Sequence, residues 1–198
     1  MKKGIIVILI IIFLVLALLL FKKWTDYSIM DKGNMTWFNK ELRDLLDKEI
    51  LTGKLTKIIY SNSGDMNGNV YEIIIDTEKL SLVESKKNEI SDPLEVKEYS
   101  VTEEDINNLK DMIKEYNLPA WSTLEIDNEL IVLDGSTPNL VLYFDNTDIG
   151  GSYFTTYSIN HYMKLPEGAM NLLNTFEKNI FDLRKEESLI KEYTKENE

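Results

Sequence analysis

The sequence predicts an α+β domain, a mainly antiparallel sheet of about six to seven strands with helices on one face, preceded by one transmembrane helix. Three observations support this prediction. Near its start the chain carries eighteen consecutive uncharged residues, 4–21. Segments rich in β-branched and aromatic residues then follow one another, separated by turn-like sequences. Other segments repeat apolar residues at helical spacing, which indicates helices that cover a sheet.

The uncharged stretch is long enough to cross a membrane. A helix rises about 1.5 Å per residue, so this stretch would span roughly 27 Å, close to the hydrocarbon thickness of a bilayer. Lys2 and Lys3 precede it, and Lys22 and Lys23 follow it. No small-residue cleavage site ends it, and the chain has no cysteine to carry a lipid. We therefore predict an uncleaved signal anchor over residues 1–23, with a long cleaved signal peptide as the alternative.

The lysines beside the anchor predict the orientation of the domain. Short amino-terminal tails with lysines directly before a span usually stay in the cytoplasm. We therefore expect a single-pass protein of the cell membrane with an extracytoplasmic carboxy-terminal domain. Lys22, Lys23 and Trp24 would lie at the membrane interface. Because lysines nearly balance on the two sides of the anchor, a cytoplasmic domain is the alternative.

Charge and composition limit the partners of this domain. From Trp24 onward the chain has 18 basic and 34 acidic residues, a net charge of −16. Such a domain repels polyanions, and the only arginines are Arg43 and Arg184, so we expect no nucleic-acid partner. The absence of cysteine excludes disulfides, thiolate nucleophiles and cysteine-bound metals.

One helix and four strands are predicted directly after the anchor. Residues 24–53 form a juxtamembrane segment and an amphipathic helix, with apolar residues at helical spacing from Trp37 to Ile50. The α+β domain itself is predicted over residues 54–183. Its first strands are expected at residues 54–61, 70–76, 80–84 and 94–101.

Two helices and three further strands complete the predicted domain. Thr102 and Asp105 form a capping-box pattern at the start of the second helix, which ends at Pro119. Three strands near the sheet centre are expected at residues 130–133, 140–144 and 153–159. Pro166 begins the last helix. The charged residues 184–198 are predicted to form a tail, a solvated helix end.

Acidic loops contain the weak candidates for a metal site. Asp65 precedes Gly68 in a turn-like sequence that superficially resembles a calcium loop, and Asp148 lies in a second such sequence. The EF-hand spacing would require an acid where the chain has Ile74. Because hairpin turns recruit the same residue types, we predict turns, no metal and no cofactor.

No catalytic set is visible in the sequence. His161 is the only histidine and has no nucleophile motif beside it, so we interpret it as a loop or surface residue. Acidic residues cluster from Glu125 to Asp148, at Glu125, Asp127, Glu129, Asp134, Asp145 and Asp148. This cluster keeps an envelope hydrolase that uses acidic residues as an alternative. The leading prediction is that the protein is not an enzyme.

Aromatic residues form the predicted ligand-binding surface. Trp121 follows the second helix, and Tyr153 and Tyr157 are spaced for one face of a strand. Such side chains bind peptides or glycans, and their rings also pack in cores. For Trp121, packing is therefore the alternative interpretation.

The lysine-flanked anchor, the many Lys, Asn and Ile residues, the scarcity of Arg and the absence of cysteine together resemble a known group. It comprises the small membrane-anchored extracytoplasmic proteins of low-GC Gram-positive bacteria, whose roles are largely unassigned. The resemblance covers the anchor and the composition and carries no functional residue. Our hypothesis is a membrane-anchored, non-enzymatic binding or accessory module that faces the cell envelope and binds a protein or peptide. The alternatives are the hydrolase and a cytoplasmic membrane-tethered adaptor.

Overall fold

One antiparallel sheet organises the chain. The computed structural model describes residues 40–63, 68–126, 137–150 and 154–196. The strands are β1 (Lys54–Ser63), β2 (Val70–Asp76), β3 (Ser81–Lys87), β4 (Leu94–Ser100), β5 (Thr137–Asp145), β6 (Phe154–Asn160) and β7 (Leu189–Lys195). Their order in the sheet is β6-β5-β1-β2-β3-β4-β7, so β6 and β7 are its edges. Each neighbouring pair is antiparallel.

The α-helices of the described residues pack on one face of this sheet. They are α1 (Lys40–Leu46), α2 (Glu103–Glu115), α3 (Leu118–Trp121) and α4 (Ala169–Asp182). Phe181 of α4 places its ring 5.0 Å from that of Tyr60 on β1. Ile113 of α2 lies around the same pocket as Leu55 and Phe144 of the sheet. We call this side of the sheet the helix-covered face.

The hydrophobic core lies between the helices and the helix-covered face. Strand side chains alternate, so every second residue of β2 and β5 points into it. In β1 the buried residues are Leu55, Ile58 and Tyr60, because a bulge between Leu55 and Lys57 interrupts the alternation. The largest fully buried side chains are Trp121, Phe176, Leu42, Ile58, Ile73, Ile75, Leu82, Ile106, Leu109, Leu118, Leu140 and Leu142. Because these residues come from four strands and all four of the helices named above, the core joins α1 to α4.

A capping box begins α2, as the sequence predicts. The Thr102 hydroxyl accepts a hydrogen bond from the Asp105 backbone N–H at 3.1 Å. In return the Asp105 carboxylate accepts the Thr102 backbone N–H at 3.0 Å. The prediction of this cap is therefore confirmed. These two hydrogen bonds satisfy donors that the first turn of a helix leaves without partners.

The capping box makes part of the stability depend on pH. Hydrogen bonds from Thr102 hold the pKa of the Asp105 carboxyl below its ordinary value. A lowered folded pKa means that stabilisation is present above the ordinary pKa and is lost as the pH falls through the folded value. We expect Asp105→Ala to reduce the free energy of unfolding by about 1 kcal/mol at neutral pH. Toward pH 2 the difference in the free energy of unfolding between Asp105→Ala and wild type should become smaller.

Urea denaturation of the full chain at the two pH values measures this difference. The exposed Asp111 of the same helix provides the matched control, because it lies beyond the first turn. Asp111→Ala should change the free energy of unfolding by less than about 0.5 kcal/mol. An Asp105→Ala effect that is equally large at both pH values would contradict the assignment.

The predicted fold class, an α+β domain preceded by one transmembrane helix, is wrong as stated. The described residues form one seven-stranded antiparallel sheet with four α-helices. Among these residues, no helix is long and apolar enough to cross a membrane. The predicted span, residues 4–21, lies outside the described residues. The corrected architecture is therefore a sheet-dominated domain with short covering helices.

The last strand shows why the element order was mispredicted. Residues 184–198 were expected to continue a helix, yet they contain a 3₁₀ turn at Glu186–Ser188 and then β7. Strand β7 pairs with β4 from Leu94↔Lys195 to Tyr99↔Leu189. An edge strand exposes much of its surface, so charged side chains are compatible with it and even protect the edge. Charge density alone therefore could not distinguish this strand from a solvated helix.

Two other predicted positions also differ. Strand β6 was expected near the sheet centre but is an edge, because β1 pairs with both β2 and β5. The strand predicted at residues 130–133 lies outside the described residues. Helix α1 ends at Leu46 rather than at Ile50. The compact unit runs from Lys40 to Glu198 and so includes α1 and β7.

Candidate functional site

Trp121, the first predicted ligand-binding residue, lies in the core. Its side chain is fully buried, and its indole N–H donates a hydrogen bond to the Tyr116 carbonyl at 2.9 Å. All four residues of α3 are buried. A ligand needs an accessible surface, so the packing interpretation fits the geometry of Trp121.

Tyr157 is half-buried on the edge strand β6. It pairs with Leu142 of β5, and its ring meets the Phe144 ring edge-on at 5.6 Å. Tyr157 therefore packs at the edge of the core, on the helix-covered face. Tyr153 lies outside the described residues, as do the predicted membrane-interface residues Lys22, Lys23 and Trp24.

Three of the acidic candidates, Asp145, Asp148 and Glu125, lie within the described residues. Asp145 is half-buried at the end of β5, where its carboxylate accepts the Thr147 backbone N–H at 2.9 Å. Asp148 is exposed in the 3₁₀ turn Thr147–Ile149. Glu125 is also exposed and lies 3.5 Å from the Lys164 ammonium. In the described ranges, no three His, Cys, Asp or Glu side chains are grouped to hold a metal ion. The remaining candidates, Asp65, Asp127, Glu129 and Asp134, lie outside the described residues.

His161 is more enclosed than the sequence indicates. Its Nε2 atom lies 2.9 Å from Oε1 of Glu177, a residue of α4 that is only 6% exposed. This pair connects the β6–α4 loop to the last helix. The missed signal is the position of Glu177, which falls among Leu173, Phe176 and Ile180 on the buried side of α4. A carboxylate on an apolar helix stripe requires a partner.

A pocket beside the start of β1 is the best-formed candidate for a ligand site. Its cavity volume of about 480 Å³ lies within the range of about 300–1,000 Å³ that ligand sites occupy. The buried side chains of Leu55, Ile113 and Phe144 line it, whereas Leu51 is 72% exposed. The lining residues are Ile50, Leu51, Thr52, Gly53, Lys54, Leu55, Lys110, Ile113, Lys114, Asn117, Pro119 and Phe144. We call it the lysine-rimmed pocket.

One wall of the pocket is the loop of residues 47–53, which joins α1 to β1. Asn117 fixes the beginning of this loop. Its side-chain amide donates hydrogen bonds to the carbonyl oxygens of Leu45, Leu46 and Lys48, at 2.9, 3.2 and 2.7 Å. The backbone of Asn117 is left-handed, with φ 48° and ψ 44°, a conformation that asparagine tolerates better than most residues. Two of these bonds reach carbonyls in the last turn of α1, and the third reaches Lys48 beyond its end.

Asn146 fixes the other end of the same loop. It is 6% exposed, and its side-chain oxygen Oδ1 accepts the Gly53 backbone N–H at 2.7 Å. Its amide donates to the Thr155 hydroxyl at 2.6 Å, which joins the loop to β6. A Cβ atom at position 53 would collide with the Asp145 carbonyl oxygen. Only glycine permits this close approach, so the wall of the pocket has a defined position.

Three lysines give the pocket its charge. Lys110 and Lys114 are one helical turn apart and therefore lie on one side of α2. Lys54 begins β1 and pairs with Glu78 at 2.6 Å, which raises the pKa of the lysine. Both members of that pair are more than half exposed, so the interaction is weak and leaves the ammonium available. The lining contains no acidic residue.

No protein-family model matches this chain, and no curated protein matches it either. Function is therefore inferred from the geometry of the chain itself.

The pocket was not predicted from the sequence, although one signal for it exists. Its walls come from residues 50–55, from α2 and α3, and from β5, which are far apart in the chain. Lys110 and Lys114 follow the apolar stripe of α2 closely, with Ile113 between them. Basic residues beside a buried position, in a chain with a net charge of −12, indicate a local exception to the general acidity.

Proposed function

We propose that the protein is a non-enzymatic binding or accessory module that is held at the cell membrane by its amino-terminal segment. Its domain faces the cell envelope, and the lysine-rimmed pocket receives a segment of a protein or peptide. The single observation that carries this proposal is the pocket, which has an apolar lining and a loop fixed at both ends. Preformed apolar pockets with a few polar groups are the usual form of a binding site.

The uncharged residues 4–21 and their flanking lysines support the location. A membrane-held module restricts its partners to those present at one membrane surface, which raises their effective concentration. Protease digestion of a carboxy-terminal tag tests the orientation. Digestion in intact cells supports an extracytoplasmic domain, and protection until lysis contradicts it.

Crosslinking from the pocket tests the binding function. We expect a photoreactive p-benzoylphenylalanine at position 51 to form a discrete adduct in living cells, because Leu51 lines the pocket and is 72% exposed. Thr52→Trp places an indole in the pocket and should abolish this adduct. The exposed Lys178 on α4 is the control position.

Two outcomes count against the proposed function. One is an adduct pattern at position 51 that equals the pattern at position 178. The other is an adduct that persists unchanged in the Thr52→Trp variant while circular dichroism shows a folded domain. Either result would mean that the pocket is not the contact surface.

A further inference from the structure

We infer that the lysine-rimmed pocket selects peptide segments in which apolar side chains are flanked by carboxylates. This inference rests on the proposed function and names the chemistry of its ligand. Two properties of the pocket carry it, the apolar lining and the cationic rim. Each property is supported by residues whose positions are fixed by the fold.

The apolar lining requires an apolar group. Leu55, Ile113 and Phe144 line the pocket but are each at most 5% exposed, so the apolar surface that a ligand would cover comes mainly from Ile50 and Leu51. Leu51 extends the apolar surface outward. A small inorganic anion would leave this apolar surface exposed to water, so such an anion does not match the lining of the pocket. Burial of apolar side chains is the main source of affinity in a site of this kind.

The rim requires negative charge. Lys54, Lys110 and Lys114 all line the pocket, and no aspartate or glutamate lines it. Within the described part of the chain, Lys110 and Lys114 have no ion-pair partner. An ammonium group offers hydrogen-bond donors and no acceptor. Carboxylates beside the apolar group would therefore complement Lys110 and Lys114, and would compete with the exposed Glu78 for Lys54.

The acidity of the rest of the chain decides between a short acidic peptide and a polyanion. With a net charge of −12, the protein repels an extended polyanion at most of its surface. A short segment with a few carboxylates feels mainly the nearby lysines, because salt screens charges beyond about 8–10 Å. The local rim thus selects the carboxylates while the surrounding surface rejects longer anions.

Fluorescence anisotropy on the full chain in neutral phospholipid nanodiscs tests the inference. The probe is a labelled peptide with three central apolar residues and two acidic residues on each side. Its counterpart replaces the acids with Asn and Gln. We expect the acidic peptide to bind at least about tenfold more tightly, and to lose this advantage as salt rises.

Charge reversal on α2 is the decisive variant. Lys110→Glu with Lys114→Glu should weaken the acidic peptide by at least about tenfold and leave the amide peptide within about threefold. Lys86→Glu with Lys87→Glu on β3 is the matched control, because it changes the net charge equally and lies outside the pocket. Circular dichroism checks that each variant is folded.

Several outcomes would overturn the inference, and they are distinguishable from failure of the proposed function. Equal binding of the two peptides removes the selection for carboxylates but leaves a peptide-binding pocket. Equal weakening by the α2 and β3 variants shows a general charge effect. Binding of laurate, measured by calorimetry, without binding of either peptide would assign the pocket to acyl chains. If neither peptide binds, the inference fails, and crosslinking from position 51 decides separately on the proposed function.

Discussion

We expect Trp121→Ala to lower the free energy of unfolding by about 3–5 kcal/mol, the usual cost of deleting a buried aromatic side chain. Trp121 is fully buried and is first among the large side chains of the core. Its loss removes buried apolar surface from the core and leaves a cavity. The indole N–H bond to the Tyr116 carbonyl is lost at the same time. Urea denaturation followed by far-ultraviolet circular dichroism measures the change.

Two further variants separate packing from hydrogen bonding at this position. Trp121→Phe keeps much of the apolar volume and leaves the Tyr116 carbonyl without the indole donor, so it should cost less than the alanine variant. Phe154→Ala removes an aromatic ring that is 66% exposed on β6, and it should change stability by less than about 1 kcal/mol. A Trp121→Ala effect as small as that of Phe154→Ala would show that α3 contributes little to the core.

The local sequence patterns predicted several elements where one face is buried. Strand β2 has its predicted bounds, Val70–Asp76, because alternating isoleucines on its buried side leave only one register. Helix α2 begins at the predicted cap. In both elements the local preference and the tertiary burial agree, so one sequence window contains enough information.

The patterns failed where the environment comes from distant parts of the chain. Strand β7 is charged because it is a solvated edge, and only its pairing with β4 makes it a strand. Helix α1 ends at Leu46, where the side chain of Asn117, distant in the sequence, donates to its last two carbonyls. The pocket and the His161–Glu177 pair likewise form between separate elements. A single sequence contains no direct signal for such contacts.

A second large effect is expected at Arg184, which neutralises a partly buried carboxylate. Glu84 of β3 is hydrogen-bonded to Arg184 and also accepts the Tyr71 hydroxyl at 3.0 Å. Arg184 donates to the Tyr71 oxygen at 2.6 Å and to the Phe181 carbonyl at 3.0 Å. The cluster therefore joins the end of α4 to the middle of the sheet. Burial, and next the charge of Glu84, raise the pKa of Tyr71, so its phenol remains a donor.

We expect Arg184→Met to lower the free energy of unfolding by about 2–3 kcal/mol. Removing one partner of a fully buried pair costs about 3–5 kcal/mol because the other charge stays uncompensated. The smaller value applies here because the Arg184 and Glu84 side chains remain 26% and 14% exposed. Glu84→Gln in the same chain should recover most of the loss, since a neutral amide needs no counterion.

A double-mutant cycle distinguishes a coupled pair from two independent residues. Coupled partners in one network give interaction energies of about 0.5–3 kcal/mol, whereas independent changes add. The exposed pair Lys97–Glu192 between β4 and β7 is the matched control, and its coupling should not exceed about 1 kcal/mol. If the Arg184 and Glu84 changes are simply additive, the two side chains stabilise the fold through packing alone. If the pair is coupled and the control is not, then partial burial rather than charge itself makes Arg184 a stabilising residue.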